Sequence, residues 1–177
     1  SSDAEKNYAI SIRFGYDLTT NALSASDNDL NAIHIAKMLP EEETDATTFL
    51  YLTSSNDSLL YLNYLNQYLE KFPKKYEGYS TAADFYSQRG DLETADKYMQ
   101  LGMEKADEKD QLHYAWSKLI YNLNMSPGYK VYNDWNMERA LTEAQQAYQN
   151  NHLPIYLVQQ GNCFYALHKY QDAYNVY

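Results

Sequence analysis

The sequence predicts an all-α protein built from repeated helical hairpins. Three observations predict it. Gly (6) and Pro (4) are scarce among 177 residues, whereas a β-rich chain needs many turn residues. Apolar residues recur at the spacing of one helical face. Two long stretches also align at an offset of 34 residues, and a third register continues them, from Ala83 to Ser117.

Composition narrows the function classes. Apolar residues make up 45% and aromatic residues 15%, enough for a sizeable core and against disorder of the whole chain. The net charge of -10 argues against a nucleic-acid partner, which is held by neutralising lysines and arginines. It also disfavours an anionic membrane surface. It fits a soluble protein kept apart from others by like charge. The single cysteine, Cys163, forms no intrachain disulfide and supports no multi-cysteine zinc site. No apolar run approaches the ~20 residues of a membrane span, so the chain is expected not to cross a bilayer. No signal-peptide core is present, and the Ser-Ser-Asp start suits a processed end or an artificial one.

Residues 1–40 read as a helix pair, because Ala32, Ile35, Ala36 and Leu39 share a face. This pair is either a degenerate repeat or a capping hairpin. Asp27, Asp29 and Asn31 have the spacing that opens a calcium loop. Ala32 and Met38 stand where such a loop needs Gly and Glu, so Asp27 is read as a helix N-cap instead. The acidic run Glu41 to Asp45 suits the start of the next helix.

Residues 41–177 divide into units at about 42–75, 76–109, 110–153 and 154–177. In the first two, Phe49 aligns with Ala83, Asn56-Asp57 with Gly90-Asp91, and Pro73 with Asp107. Tyr79, Ala82, Ala83 and Tyr86 form one face of a first helix. Gly90 allows a left-handed backbone at its end, as Asn56 can at some cost. Asp57 and Asp91 then cap second helices, the latter showing Leu92, Ala95, Met99 and Gly102 on one side. Lys71, Lys74 and Lys75 fall where the preceding second helix ends and suit its dipole. The third unit begins near Lys109, with Trp116, Ser117 and Ile120 in its first helix. The fourth begins near Pro154, with Leu157, Gly161 and Phe164, then Ala173 and Tyr177.

In the third unit Ile120 and Ala140 are separated by much more chain than Tyr86 and Ala95 or Phe164 and Ala173. An insertion of roughly eleven residues in that hairpin turn follows from the repeat logic. It holds Ser126 to Trp135, and Pro127-Gly128 stops the helix before it.

These registers resemble the tetratricopeptide repeat, whose signature places W-x2-L-G-x2-Y, A-x3-F and P in a 34-residue period. Tyr79, Ala82, Ala83, Tyr86, Ala95 and Met99 stand where that signature wants them. The resemblance covers Glu42 to Tyr177. It implies a right-handed superhelical solenoid of antiparallel hairpins, with first helices lining a concave groove. A solenoid that stops inside a second helix leaves an apolar face uncovered. The open C-terminal end is therefore expected to be covered by further chain or by another copy, giving a homo-oligomer. The acidic, Tyr- and Asn-rich character looks like tetratricopeptide proteins of bacterial envelopes, which points to the periplasm or cell envelope, with the cytoplasm as the alternative.

Transferred residue by residue, one groove row runs Leu50, Asp84, Lys118, Asn162. Thr47, Ser80, Thr81, Ser87 and Gln88 lie beside it, and Tyr114, Tyr121, Asn122, Gln159 and Tyr165 complete the lining. The implied partner is a protein or extended peptide, its backbone held by Asn122, Asn162, Gln88 and Gln159. The bland alternative is a solvated helix face with scattered tyrosines, in a chain that has 20 of them. Lys118 is the one cation of these rows, which disfavours clamping a terminal carboxylate. The insert gives a second candidate surface in Tyr129, Tyr132 and Trp135, since loops on rigid scaffolds often carry function. The competing and favoured reading packs these rings over the neighbouring hairpin.

Catalysis finds no support. His34, His113, His152 and His168 lack metal-ligand spacing such as H-E-x-x-H, and no phosphate-cradling glycine loop or G-x-S-x-G occurs. Cys163 reads as a small core residue. No cofactor is expected. The functional expectation is a non-enzymatic binding scaffold. The alternatives are carbohydrate or small-ligand binding on the tyrosines, or a structural arm of a longer protein.

Overall fold

A computed structural model of the chain describes Glu43, Ala46, Thr47, Leu50 and residues 58–176. The expected helix pair over 1–40, with its Asp27 cap, lies outside the described residues, as do Phe49, the Asn56-Asp57 turn and Tyr177. The fold is all-α. Seven bounded helices run in chain order: α1 (Ser58–Lys71), α2 (Tyr76–Ser87), α3 (Leu92–Lys105), α4 (Lys109–Met125), α5 (Met137–Asn150), α6 (Pro154–Ala166) and α7 (Tyr170–Val176). No strand occurs among the described residues. Among them, too, no helix is long and apolar enough to cross a membrane.

The helix ends follow local chemistry. Gly90 takes φ 78 at the turn after α2, and the Asp91 side chain accepts a hydrogen bond from Thr94 N at 3.1 Å to start α3. His168 takes φ 60 in the turn between α6 and α7, the same left-handed backbone without glycine's freedom. Asn136 caps α5 by accepting from Arg139 N at 2.9 Å. Pro154 opens α6, where its missing N–H has no helical partner to lose. Helix α4 begins at Lys109 and α6 at Pro154.

The insertion is divided differently from the expectation. Residues 126–136 connect α4 to α5, against 88–91 and 167–169 in the other two turns. Yet α4 is itself longer than α2 and runs past Ile120 to Met125. Part of the inserted chain is thus an added turn of helix. It ends at Ser126, whose backbone is extended, with Gly128 following at φ 80.

Each helix packs on its sequence neighbour, and α4 also packs on both α2 and α6. Two adjoining cores result. One joins Ala46, Leu50, Tyr61, Tyr64, Leu65, Tyr68, Ala82 and Phe85. The other gathers Tyr79, Ala83, Ala95 and Met99 with Leu112, Trp116, Ile120, Trp135 and Ala140. The small residues sit where helices come close. A Cβ on Gly102 would lie 2.8 Å from both Tyr79 Cβ and Leu112 Cδ2. Leu112 can swing its methyl aside, but Tyr79 Cβ is fixed to its backbone. Gly102→Ala is therefore expected to lower stability. Overpacking costs about 1–3 kcal/mol, which outweighs the roughly 1 kcal/mol gained in helix propensity. Urea denaturation measures it; an unchanged or raised midpoint would contradict the close approach.

Lysines beyond α1 make ion pairs. Lys75 Nζ reaches Glu43 Oε1 and Glu108 Oε1, each at 3.0 Å, and so ties Glu43 to the start of α4. Lys74 pairs with Asp107 at 3.4 Å in an exposed contact, of a kind that contributes little.

Candidate functional site

Between α2 and α4 the helices leave an open cleft of about 370 Å³. Its lining comes from both helices and from one residue of α3. Tyr76, Ser80, Thr81 and Asp84 form one wall. Gln111, Tyr114, Ala115, Lys118, Leu119 and Asn122 form the other, and Met99 adds to the lining from α3. The buried Met99 and Leu119 make its apolar part. The groove residues Thr81, Asp84, Tyr114, Lys118 and Asn122 are thus brought together. The reason is geometric: Asp84 and Lys118 occupy equivalent positions on helices that pack side by side.

Asp84 is exposed at the mouth, and its Oδ2 accepts from Gln88 Nε2 at 2.7 Å. Partial withdrawal from water pushes its carboxyl above the usual range, against the Gln88 hydrogen bond and the Lys118 charge. Lys118 Nζ lies 5.4 Å from the centre of the Tyr114 ring. Tyr114 in turn packs against Tyr156 of α6, ring centres 5.2 Å apart.

Other residues of the expected groove serve the fold instead. Leu50 is fully buried in the first core, where an aliphatic side chain gains most. Thr47 Oγ1 is hydrogen-bonded to Tyr68 Oη at 2.9 Å. Ser87 is buried and donates back to the helix, to Asp84 O; Thr81, which also lines the cleft, is buried too and donates to Glu77 O. Gln159 is also buried. Its Nε2 donates to Ser117 Oγ at 3.1 Å and approaches Cys163 Sγ at 3.7 Å, so it is a strut between α4 and α6 and no contact for a partner's backbone. Tyr121 packs half-buried on the second core. Gln88, Asn162 and Tyr165 lie outside the cleft lining, and Tyr165 is exposed against Tyr170.

The insert turns its rings inward. Trp135 is fully buried, edge-on to Trp116 and Tyr132, and its Nε1 donates to Asp96 Oδ1 of α3 at 3.1 Å. Tyr129 Oη donates to Trp135 O at 3.2 Å. Asn124, in the added turn of α4, donates to Trp135 O at 2.8 Å. A buried Trp135 cannot meet a partner, so it is removed from the candidate surface; Tyr129 and Tyr132 are half-buried beside it.

One constellation escapes sequence reading. Glu143 is buried, and its two oxygens meet His113 Nδ1 at 2.6 Å and Arg139 Nε at 2.5 Å. Arg139 also pairs with Asp134 of the insert and stacks its guanidinium 4.7 Å from the centre of the Trp116 ring. The four-residue step from Arg139 to Glu143 is a visible signal. The His113 contact is not, because it joins different helices. Cys163 is buried, and burial pushes its thiol up to about 11, which leaves little thiolate at neutral pH. Among the described residues no three His, Cys, Asp or Glu side chains gather as a metal-ligand set.

The chain has no match among protein-family models, curated proteins or solved structures.

Proposed function

We propose that this chain is a tetratricopeptide-like, non-enzymatic scaffold whose α2–α4 cleft binds an extended peptide. The observation that carries the reading is the cleft itself. Residues one 34-residue period apart line it from neighbouring helices, and it combines aromatic rings, an apolar floor, hydrogen-bonding groups and fixed charges. Tyrosine faces give large contact area at low entropic cost, and Ser80, Gln111 and Asn122 offer partners for a peptide backbone. The packing of α4 on both α2 and α6 supports a stacked array of hairpins.

Peptides selected from a random heptapeptide display library test the reading. Asn122→Trp, at an exposed position, fills the cleft without changing its charge. Selected peptides are expected to lose at least roughly tenfold in affinity for this variant, about 1.4 kcal/mol, while its circular dichroism stays helical. Enrichment of no peptide, or equal binding to the blocked variant, would remove the proposal.

A further inference from the structure

The cleft holds one anion and one cation on opposite walls. Asp84 stands on α2 and Lys118 on α4, one repeat period apart, and both are exposed. Among the described residues neither is in an ion pair. Each is nevertheless held in place. Gln88 fixes Oδ2 of Asp84, and Lys118 Nζ rests above the Tyr114 ring. Two opposite charges on facing walls, each held in place and neither in an ion pair among the described residues, suit a ligand that satisfies both. Axes of packed helices lie about 8–10 Å apart. An extended chain advances about 3.3 Å per residue. A peptide crossing from α2 to α4 therefore covers the interval in two or three residues.

Resting on the peptide reading above, we infer that the cleft selects a dipolar segment: a Lys or Arg seated at Asp84 and an Asp or Glu seated at Lys118, two or three residues apart. The apolar lining at Met99 and Leu119 takes the aliphatic stem of the basic side chain. The acidity of the whole chain, net -10, draws the basic end in first. Partial desolvation of Asp84 works the same way, since a carboxylate short of water gains more from an incoming cation.

The test uses the same heptapeptide library on three proteins: the unaltered chain, Asp84→Asn and Lys118→Gln. Both positions are exposed, so the helical fold is kept and checked by circular dichroism. The unaltered chain is expected to enrich peptides carrying both charges at the stated spacing. Asp84→Asn drops the basic preference and keeps the acidic one; Lys118→Gln does the reverse. Each change weakens the dipolar peptides by roughly fivefold, the upper range for an exposed ion pair. Peptides without charge bias, or a bias that neither substitution alters, overturn the inference. If Asn122→Trp still abolishes their capture in that case, the cleft remains a peptide site and the charge rule alone is wrong. If the unaltered chain enriches no peptide, both readings fail together.

Discussion

Trp135→Ala is expected to lower the free energy of unfolding by about 3–5 kcal/mol, the range for emptying a buried aromatic site. The residue is wholly buried, and the cavity left would lie between Trp116, Tyr132 and α3. The loss has a second part. Asp96 Oδ1 gives up its bond from the indole N–H, although Oδ2 keeps Gln100 Nε2 at 2.6 Å. In a domain of this length each kcal/mol shifts the melting temperature by roughly 2–4 °C, so a fall on the order of 10 °C is expected. Tyr174→Ala, at a site 78% exposed, should by comparison change little. Thermal and urea denaturation of the two variants side by side decide the matter. A Trp135→Ala loss below about 1 kcal/mol would mean that the insert does not dock as described.

Glu143→Ala should come next in size, at about 3 kcal/mol. Removing one member of a buried ion pair leaves its partner uncompensated, which typically costs about 3–5 kcal/mol. The lower end applies here because Arg139 keeps Asp134 and part of its exposure to water. The comparison that isolates the mechanism is Glu143→Leu combined with Arg139→Met. With both charges gone and the volume roughly kept, most of the loss should return, since apolar replacement of a buried pair is often neutral. If the double variant is as unstable as Glu143→Ala, the cost lies in packing and not in a stranded charge. Urea midpoints of the three proteins read this directly.

The architecture was legible where local chemistry decides it. Gly90 before Asp91, Pro127-Gly128 and Pro154 each fix a helix end by backbone rules that need no distant partner. The 34-residue register placed Asp84 and Lys118 on neighbouring helices before any coordinates, and the cleft is built around them. Legibility failed where a side chain's fate depends on something far along the chain. Thr81 and Gln159 are polar and lie beside core positions, so spacing alone reads them as surface. Gln159 is in fact buried because Ser117, 42 residues away, accepts its amide. Leu50 failed differently, since a row transferred by alignment ignored its own hydrophobicity. For Trp135 the composition of the loop admitted two outcomes. The choice was made by Asp96 and Trp116, on helices the loop's sequence does not mention.

The indole bridge from Trp135 to Asp96 also bears on how the molecule opens. Stacked hairpins that touch only their neighbours can fray one at a time from an end. Here a loop between α4 and α5 is anchored on α3, part of the preceding hairpin, across 39 residues of chain. Opening α3 away from α4 must break this bridge and expose a tryptophan to water. The backbone amides of α3 and α4 are therefore expected to exchange as one cooperative unit. The seven-residue α7 has Ala173 alone buried among its residues and so contributes little to that unit.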